Sequence, residues 1–405
     1  MGFRTSQTRC VVWLVTLRGL SAAQLAQCAA LRREAARCWA DLVTAHREGR
    51  ERDEWIDVRE LEKMSAGKYA LHSQTIQALA QRLDANLQTA KELRERQTAM
   101  GQEPTYQYPY KTPPYQTIPW KDMAMRQQDG RLILSNGRGR EPLVLTLPAA
   151  YQQADIRRAE LAWRADHYEL CLTIDTDESA APQQAWNKVA GVDLGEVHIA
   201  AVATSDGQAL VVSGRLLRAH KQLRNKRHAA LQERLAKRTK GSRRWRRLTL
   251  RKAQISAKLY RQQRDILHNA SRKVVAFCRR AGVGRIAIGD VRDAQDGVNM
   301  GANNQKIAQW PHGQYYSYLA DKAQHLGIAV GYINEDYSTK TCSACGQLRA
   351  SGLNGRTFAC PTCGAQLHRD VNGAANICSR ARHGAYGYVR VTRAAHVYPV
   401  ERRRP

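Results

Sequence analysis

The sequence lacks any run of about eighteen consecutive apolar residues, the minimum length for a membrane-spanning helix. Its only early apolar stretch, from Cys10 to Leu20, is short and is interrupted by Arg18. The pattern of a secretory signal peptide is also missing. These absences argue against a membrane-embedded or secreted protein, and we expect a soluble, intracellular one.

Acidic residues are scarce relative to basic ones. Of the 405 residues, 36 are Asp or Glu and 64 are Lys or Arg, which gives a formal net charge of +28 and an isoelectric point near 10.1. So much unbalanced positive charge opposes a compact fold unless a polyanion neutralises it. We therefore expect a nucleic acid as partner, and the length allows two or three domains.

Cysteine is too sparse along most of the chain to form a disulfide scaffold. Six of the ten cysteines are scattered and receive no role: Cys10, Cys28, Cys38, Cys171, Cys278 and Cys378. The other four form two C-x-x-C pairs separated by fourteen residues: Cys342, Cys345, Cys360 and Cys363. This spacing is typical of a structural zinc ribbon in which each pair forms one knuckle.

The four thiolates fill a tetrahedral shell, so the zinc is expected to order the fold and not to perform chemistry. His368 is an alternative ligand, but the four cysteines already occupy every position.

The N-terminal half reads as strands with an inserted helical segment. Residues 10–19 resemble a strand, 21–50 and 72–96 have helical spacing, and the two helices can pack as a hairpin. Strand patterns then recur at 131–135, 143–148 and 168–175, and the first strand can pair with them. This β-rich module is either a structural barrel or a nucleic-acid contact.

Residues 103–121 are rich in Pro, Tyr, Gln and Lys, which excludes a helix and predicts an extended linker. Its aromatic side chains either stack on bases or brace the linker, and we favour bracing. They are Tyr106, Tyr108, Tyr110, Tyr115 and Trp120.

The C-terminal half has the element order of an RNase H-like fold. Three antiparallel strands are predicted from residue 188 to 214, followed by two strands at 285–290 and 328–336 with a helix at 311–326 between them. A basic helical hairpin fills residues 215–280, with a break near Gly241 and Ser242. We expect nucleic-acid phosphates to neutralise its charge. The candidate contact residues are Lys221, Arg224, Arg243, Arg244, Arg246, Arg247, Arg251 and Arg261.

An RNase H-like nuclease needs several carboxylates that hold two divalent cations. Asp193 ends the first strand and Asp370 opens a helical stretch, so both are candidates. The position expected for a middle acid, at the end of the fourth strand, is Gly289.

Two neighbouring acids can replace the missing one. Strands are about 4.8 Å apart, so Glu335 after the adjacent strand can reach over a glycine without a side chain. We prefer Glu335 to Asp290, and Asp336 is a weaker alternative.

Five blocks, in this order, resemble the transposon-encoded TnpB proteins and the miniature type V CRISPR effectors. They are GVDLGEVHIAAVATSDG, RDILHNASRKVV, IAIGDV, EDYSTKTCSACG and CGAQLHRDVNGAANI, within residues 187–380. The resemblance implies an RNA-guided DNA endonuclease with a RuvC domain that cuts both strands in one site. Its implied cofactors are two Mg²⁺ ions for catalysis and one structural Zn²⁺.

By motif, Asp193 is similar to the first RuvC acid and Asp370 to the third. Gly289 stands where the second is usually a glutamate. Some TnpB and Fanzor proteins have a relocated glutamate just before the ribbon, where Glu335 lies. The implied partners are a guide RNA and a target DNA, with one or two copies of the chain per guide, in the prokaryotic cytoplasm and at the nucleoid during action on DNA.

The fold class predicted from these features is α+β and multidomain. A β-rich wedge module (1–20 and 122–178) contains a helical recognition module with the linker (21–121). A RuvC-like domain (187–340 and 364–380) contains the zinc ribbon (341–363), and 381–405 is a basic tail in which we expect 390–405 to be flexible. Two alternatives to a nuclease stay open: an RNA-guided repressor that Gly289 has made inactive, and a guide-free nucleic-acid-binding or resolvase protein.

Overall fold

The computed structural model describes residues 8–179, 188–291, 309–349 and 355–400. The chain forms two compact units, Met1–Glu178 and Ser179–Pro405. Within the described ranges no helix is both long and apolar enough to cross a membrane.

From residue 8 onward, the first unit combines three α-helices with two antiparallel sheets. The helices are α1 (Ala22–Glu51), α2 (Val58–Ser65) and α3 (Ser73–Ala99). The strands are β1 (Thr8–Leu17), β2 (Ile118–Lys121), β3 (Met125–Gln128), β4 (Arg131–Leu134), β5 (Leu143–Thr146), β6 (Asp155–Trp163) and β7 (Tyr168–Ser179). The sheet orders are β1-β7-β6-β2 and β3-β4-β5, so the N-terminal strand pairs with the later strands as expected.

Local signals explain where these helices begin. Ser21 and Gln24 form a reciprocal capping box at α1, and Asp57 and Glu60 form another at α2. Helix α2 and strands β3 and β6 were not predicted from the sequence. Strand β2 was predicted as part of the linker, but there Trp120 is 1% exposed and donates its indole N–H to the carbonyl of Ser135. Trp120 therefore braces this unit, whereas Tyr106, Tyr110 and Tyr115 are exposed.

The second unit is built on a six-stranded mixed sheet. Its strands are β8 (Lys188–Leu194), β9 (His198–Thr204), β10 (Gln208–Ser213), β11 (Val283–Gly289), β12 (Ala329–Ile333) and β15 (Arg393–Val397), in the order β12-β11-β8-β9-β10-β15. Strands β8, β9 and β10 are antiparallel, and β11 pairs parallel with both β8 and β12. This is the RNase H-like order that the sequence predicts.

In the described residues of this unit, four helices and a small hairpin accompany the sheet. They are α4 (Arg215–Ala236), α5 (Arg243–Arg280), α6 (His312–Gln324), α7 (Arg369–His383), β13 (Thr357–Ala359) and β14 (Gln366–His368). Helix α7 packs directly on β8, because a β-carbon on Gly191 would lie 2.2 Å from the carbonyl oxygen of Ala374. Only glycine permits this approach, which brings the start of α7 to the end of β8.

The prediction of a flexible extension over residues 390–405 is wrong for Arg393–Val397. Strand β15 pairs in parallel with β10, from Gln208 opposite Arg393 to Val212 opposite Val397. The edge of β10 otherwise presents unpaired backbone N–H and C=O groups, and an extended segment that returns to it satisfies them. Residues 401–405 lie outside the described part.

Candidate functional site

The three predicted acids converge where β8, the segment after β12 and helix α7 meet. A β-carbon on Gly373, one turn into α7, would lie 2.7 Å from Oδ2 of Asp193, so this carboxylate faces the first turns of the helix. Burial raises the pKa of Asp193 well above its usual value, and the negative charges of Glu335 and Asp370 raise it further. The carboxylates are therefore close enough to repel one another.

Glu335 fills the space that a side chain at position 289 would occupy. A β-carbon on Gly289 would lie 1.8 Å from Glu335 Oε2 and 2.8 Å from its Cδ. Gly289 is opposite Ile333 in the parallel β11–β12 pair, and Glu335 follows two residues later. The side chain of Glu335 thus reaches back over the end of β11.

The Glu335 carboxylate is poorly compensated. Its buried Oε2 accepts no hydrogen bond from the described residues. Burial raises its pKa to about 7, and the charges of Asp290 and Asp336 contribute further. A buried carboxylate in this state is stabilised by a proton or a cation. Of the two alternatives weighed from the sequence, Asp336 is exposed and accepts a hydrogen bond from Asn334, and Asp290 lies near Glu335 without replacing it at Gly289.

Asp370 has the opposite electrostatic character. Its Oδ2 accepts a hydrogen bond from Nδ1 of His198 at 2.8 Å and one from Arg356 at 3.3 Å, and Arg369 lies 3.5 Å from Oδ1. Burial works to raise the pKa of Asp370, but the His198 hydrogen bond and the nearby positive charges outweigh it, so this pKa is lowered. Asp370 is ionised at neutral pH.

His368 is the N-cap of α7 and not a ribbon ligand. Its Nδ1 accepts a hydrogen bond from the backbone N–H of Asp370 at 3.2 Å. This contact fixes the first turn of the helix, and with it the carboxylate of Asp370.

The acids suit hard divalent cations, which prefer carboxylate oxygens. Glu335 Oε2 lacks a described partner, and repulsion among the acids disfavours an empty, fully ionised site. Their donor atoms do not all lie within 4.8 Å of one another, as those of the cysteine quartet do. Two cations about 4 Å apart are spanned by ligands more widely spaced than those of one ion.

A zinc-ribbon-like cysteine cluster lies beside this site. Sγ of Cys342 is 3.7 Å from Sγ of Cys363, and the same distance separates Cys345 from Cys360. Tetrahedral zinc with bonds of about 2.3 Å requires a sulfur–sulfur separation of about 3.8 Å. Backbone N–H groups of Gly346 and Gly364 donate to the carbonyls of Cys342 and Cys360, closing the two knuckles. The four thiolates therefore fit one zinc ion.

Two asparagines on α7 tie the segment before the ribbon to the helix. Asn372 Nδ2 donates to Thr341 O at 2.7 Å and its Oδ1 accepts from Ser343 N at 3.0 Å. Asn376 Nδ2 donates to the carbonyls of Ser338 and Thr341, at 2.7 and 2.6 Å. Both side chains are fully buried. Neither residue was predicted from the sequence, although polar residues four apart in a mostly apolar helix are a readable signal.

The basic hairpin divides into exposed and internally bonded residues. Arg243, Arg244, Arg246, Arg247 and Arg251 are exposed near the start of α5. Lys221 and Arg224 instead hydrogen-bond to Gln309, and Arg261 is half-buried. For Lys221 burial lowers the pKa to about 8. The internal bonds of Lys221 and Arg224 leave them less available to phosphates than the sequence suggested.

Comparisons with known proteins give the same relationship as the residues. Residues 169–295 match the family model OrfB_IS605, described as a probable transposase, and residues 312–377 match the TNB domain of Cas12f1-like proteins. The chain is 29% identical over 198 residues to the TnpB-like protein ORF457 of Acidianus two-tailed virus, covering 48% of this chain and 42% of that protein. This chain is similar to TnpB-like proteins and to Cas12f1.

Further matches support this relationship. Over 111 residues the chain is 28% identical to the CRISPR-associated endodeoxyribonuclease Cas12f1 of Sulfoacidibacillus thermotolerans, covering 27% of this chain and 25% of that one. The matched segments thus span less than half the length of these relatives. The fold matches the structure of a Cas12f1–sgRNA–target DNA complex with a TM-score of 0.63 at 14% identity, covering 88% of this chain and 82% of that one. The family resemblance and the fold class are confirmed.

Proposed function

We propose that this TnpB relative is an RNA-guided DNA endonuclease with a single RuvC-like active site. Asp193, Glu335 and Asp370 are its catalytic residues. The observation that carries the proposal is the Glu335 carboxylate, which stands in the space in front of Gly289. The site therefore has three acids although the strand that should supply the second ends in glycine.

The three carboxylates would hold two Mg²⁺ ions, which when bound stabilise the attacking and leaving oxygens of a phosphodiester displacement. Asp370 is held ionised and oriented by His198. Glu335, whose pKa is about 7, gives up its proton readily near neutral pH when a cation is available. The mutual repulsion of the acids thus favours cation binding over an empty site.

The zinc ribbon has a structural role in this proposal. Four thiolates complete the shell of one Zn²⁺, so no open position remains for a substrate. Its attachment to α7 through Asn372 places the ribbon next to the helix that bears Asp370.

The proposed partners are a guide RNA and a target DNA, with one or two copies of the chain per guide. The matched Cas12f1 structure is titled as a complex with both nucleic acids. Base pairing would read the target, and exposed arginines such as Arg243 and Arg247 would contact the phosphate backbone. The charge of +28 fits this role.

The test is cleavage of a target plasmid by the chain loaded with its guide, for the wild type and for Glu335→Gln. We expect Mg²⁺-dependent cutting by the wild type and a loss of at least about 100-fold in the variant, which keeps the side-chain shape but removes the charge. Guided binding without cutting by the wild type would refute the nuclease and support the repressor that Gly289 suggests. Co-purification of heterogeneous nucleic acid in place of one discrete RNA would support a guide-free protein.

A further inference from the structure

A cavity of about 300 Å³ opens on the side of Asp370 where His198 lies. It is formed where the start of β9, the end of β10, the residues before β13, the start of α7 and the C-terminal strand β15 come together. Six polar residues line it: His198, Ser213, Arg215, Arg356, His368 and His396. The lining contains none of the three candidate acids and none of the four ribbon cysteines.

Two histidines separate this cavity from the third acid. His198 donates to Asp370 Oδ2, and His368 caps the helix at the backbone N–H of Asp370. His396 on β15 completes the wall, with its ring centroid 6.2 Å from that of His198 and 6.3 Å from that of His368. A ligand in the cavity would therefore lie one side chain away from Asp370.

The cavity is cationic. Arg215 and Arg356 carry permanent charge, and Arg215 is exposed, with no side-chain partner among the described residues. Asp370, on the far side of these histidines, already accepts hydrogen bonds from His198 and Arg356. It therefore offsets only part of the positive charge.

This charge selects an anion over a metal ion. His198, His368 and Asp370 have donor atoms within 4.8 Å of one another, as a metal site requires. A divalent ion there would be repelled by both guanidinium groups, whereas arginine and imidazole N–H groups match the oxygens of a phosphate. Ser213 adds a hydroxyl donor at the end of β10.

We propose that this cavity binds a backbone phosphate of the DNA strand being cut, next to the scissile phosphate. The proposal rests on the nuclease function. Arg215 and Arg356 bind the phosphate. His396 also faces it, so the C-terminal strand β15 helps to position the DNA. His198 and His368 lie between the bound phosphate and Asp370. Binding in the cavity therefore holds the DNA strand so that its next phosphate, the scissile one, lies at Asp370.

The test replaces single phosphates near the cut site of the target DNA with neutral methylphosphonates. Single-turnover cleavage is measured in Mg²⁺, and affinity for the guide-loaded chain is measured with Ca²⁺ in its place. We expect one position at which the neutral linkage lowers the wild-type affinity and rate about tenfold, as for one charge-assisted contact. Arg215→Gln should cause the same loss with normal DNA and no further loss at that position.

Arg279→Gln removes an equally exposed charge at the end of α5 and should leave the position-specific loss intact. The proposal would be overturned if each methylphosphonate lowered the affinity of the Arg215→Gln variant by the same factor as that of the wild type. A transition-metal ion, beyond the ribbon zinc, that purifies with the wild type and is absent from His198→Gln would also overturn it. Because the Ca²⁺ measurement needs no cleavage, failure of the nuclease function is distinguishable from failure of the phosphate site.

Discussion

Adding one methyl group at Gly289 tests whether the Glu335 carboxylate must stand where it does. In Gly289→Ala the new β-carbon would lie 1.8 Å from Glu335 Oε2, whereas ordinary contacts of a β-carbon begin at 3.4 Å. The carboxylate must therefore retreat by about 1.6 Å. The backbone of Gly289 lies outside the left-handed region, so alanine itself is compatible with the strand.

The displacement is large for catalysis and small for folding. A misplacement of about 1 Å can lower a rate about 100-fold, so we expect at least that loss in single-turnover cleavage by the guide-loaded Gly289→Ala variant. The displaced group is the end of a flexible side chain, and Ile377 Cδ1 at 2.9 Å must also shift slightly. The free energy of unfolding should therefore change by less than about 1 kcal/mol.

Gly331→Ala is the matched control, because it adds the same methyl group on the neighbouring strand with no atom within 4 Å. It should cleave at the wild-type rate. Relocating the acid in Gly289→Glu/Glu335→Gly should recover part of the activity lost in Glu335→Gly, since the space that Glu335 vacates receives the new side chain. Wild-type cleavage by Gly289→Ala would refute the placement of Glu335 at the catalytic site.

Three more predictions concern pH, zinc and salt. The pKa of Glu335 is raised from 4.5 to about 7 in the fold. Without Mg²⁺, the contribution of Glu335 to stability is therefore full below about pH 4.5 and is lost as pH rises through 7, by at most roughly 3 kcal/mol. Urea unfolding of the Glu335→Gln variant should lack this loss. Cys360→Ser should remove the bound zinc, as measured by metal analysis, and should speed hydrogen exchange of the Ser343 amide. Cys10 is an exposed thiol outside the ribbon, so Cys10→Ser should do neither. Replacing Arg243, Arg246 and Arg247 with Gln should make the plot of log affinity for DNA against log salt less steep, by up to about 0.9 in slope per lost contact. Because Arg224 is bonded to Gln309, Arg224→Gln should leave this slope unchanged.

The second unit was predictable because its signals are local. Strands β8 to β12 are short, mostly apolar runs bounded by turn residues. Ser242 caps α5 through Trp245 N at the predicted break in the basic hairpin. Glu335 could be predicted from strand spacing once Gly289 left a gap at the end of β11. These inferences need only a few residues of context each.

Features that depend on distant residues could not be read from the sequence. Strand β15 pairs with β10 across about 180 residues, and no local pattern indicates a partner so far away. Charge density likewise predicts a basic hairpin, but does not reveal that Lys221 and Arg224 bond to Gln309. The contact of His198 with Asp370 depends on the same long-range packing.

The relocated acid has a structural requirement that a strand residue would not have. Glu335 lies beyond the end of β12, so the sheet alone does not fix it. The segment that follows is held by Asn376, which bonds the carbonyls of Ser338 and Thr341, and by the hydroxyl of Tyr386, which donates to Asp336 O at 2.7 Å. Asn376 lies on α7, the helix that carries Asp370 in its first turn. The second and third acids are therefore positioned by one helix, and a change that shifts α7 on Gly191 would move both relative to Asp193.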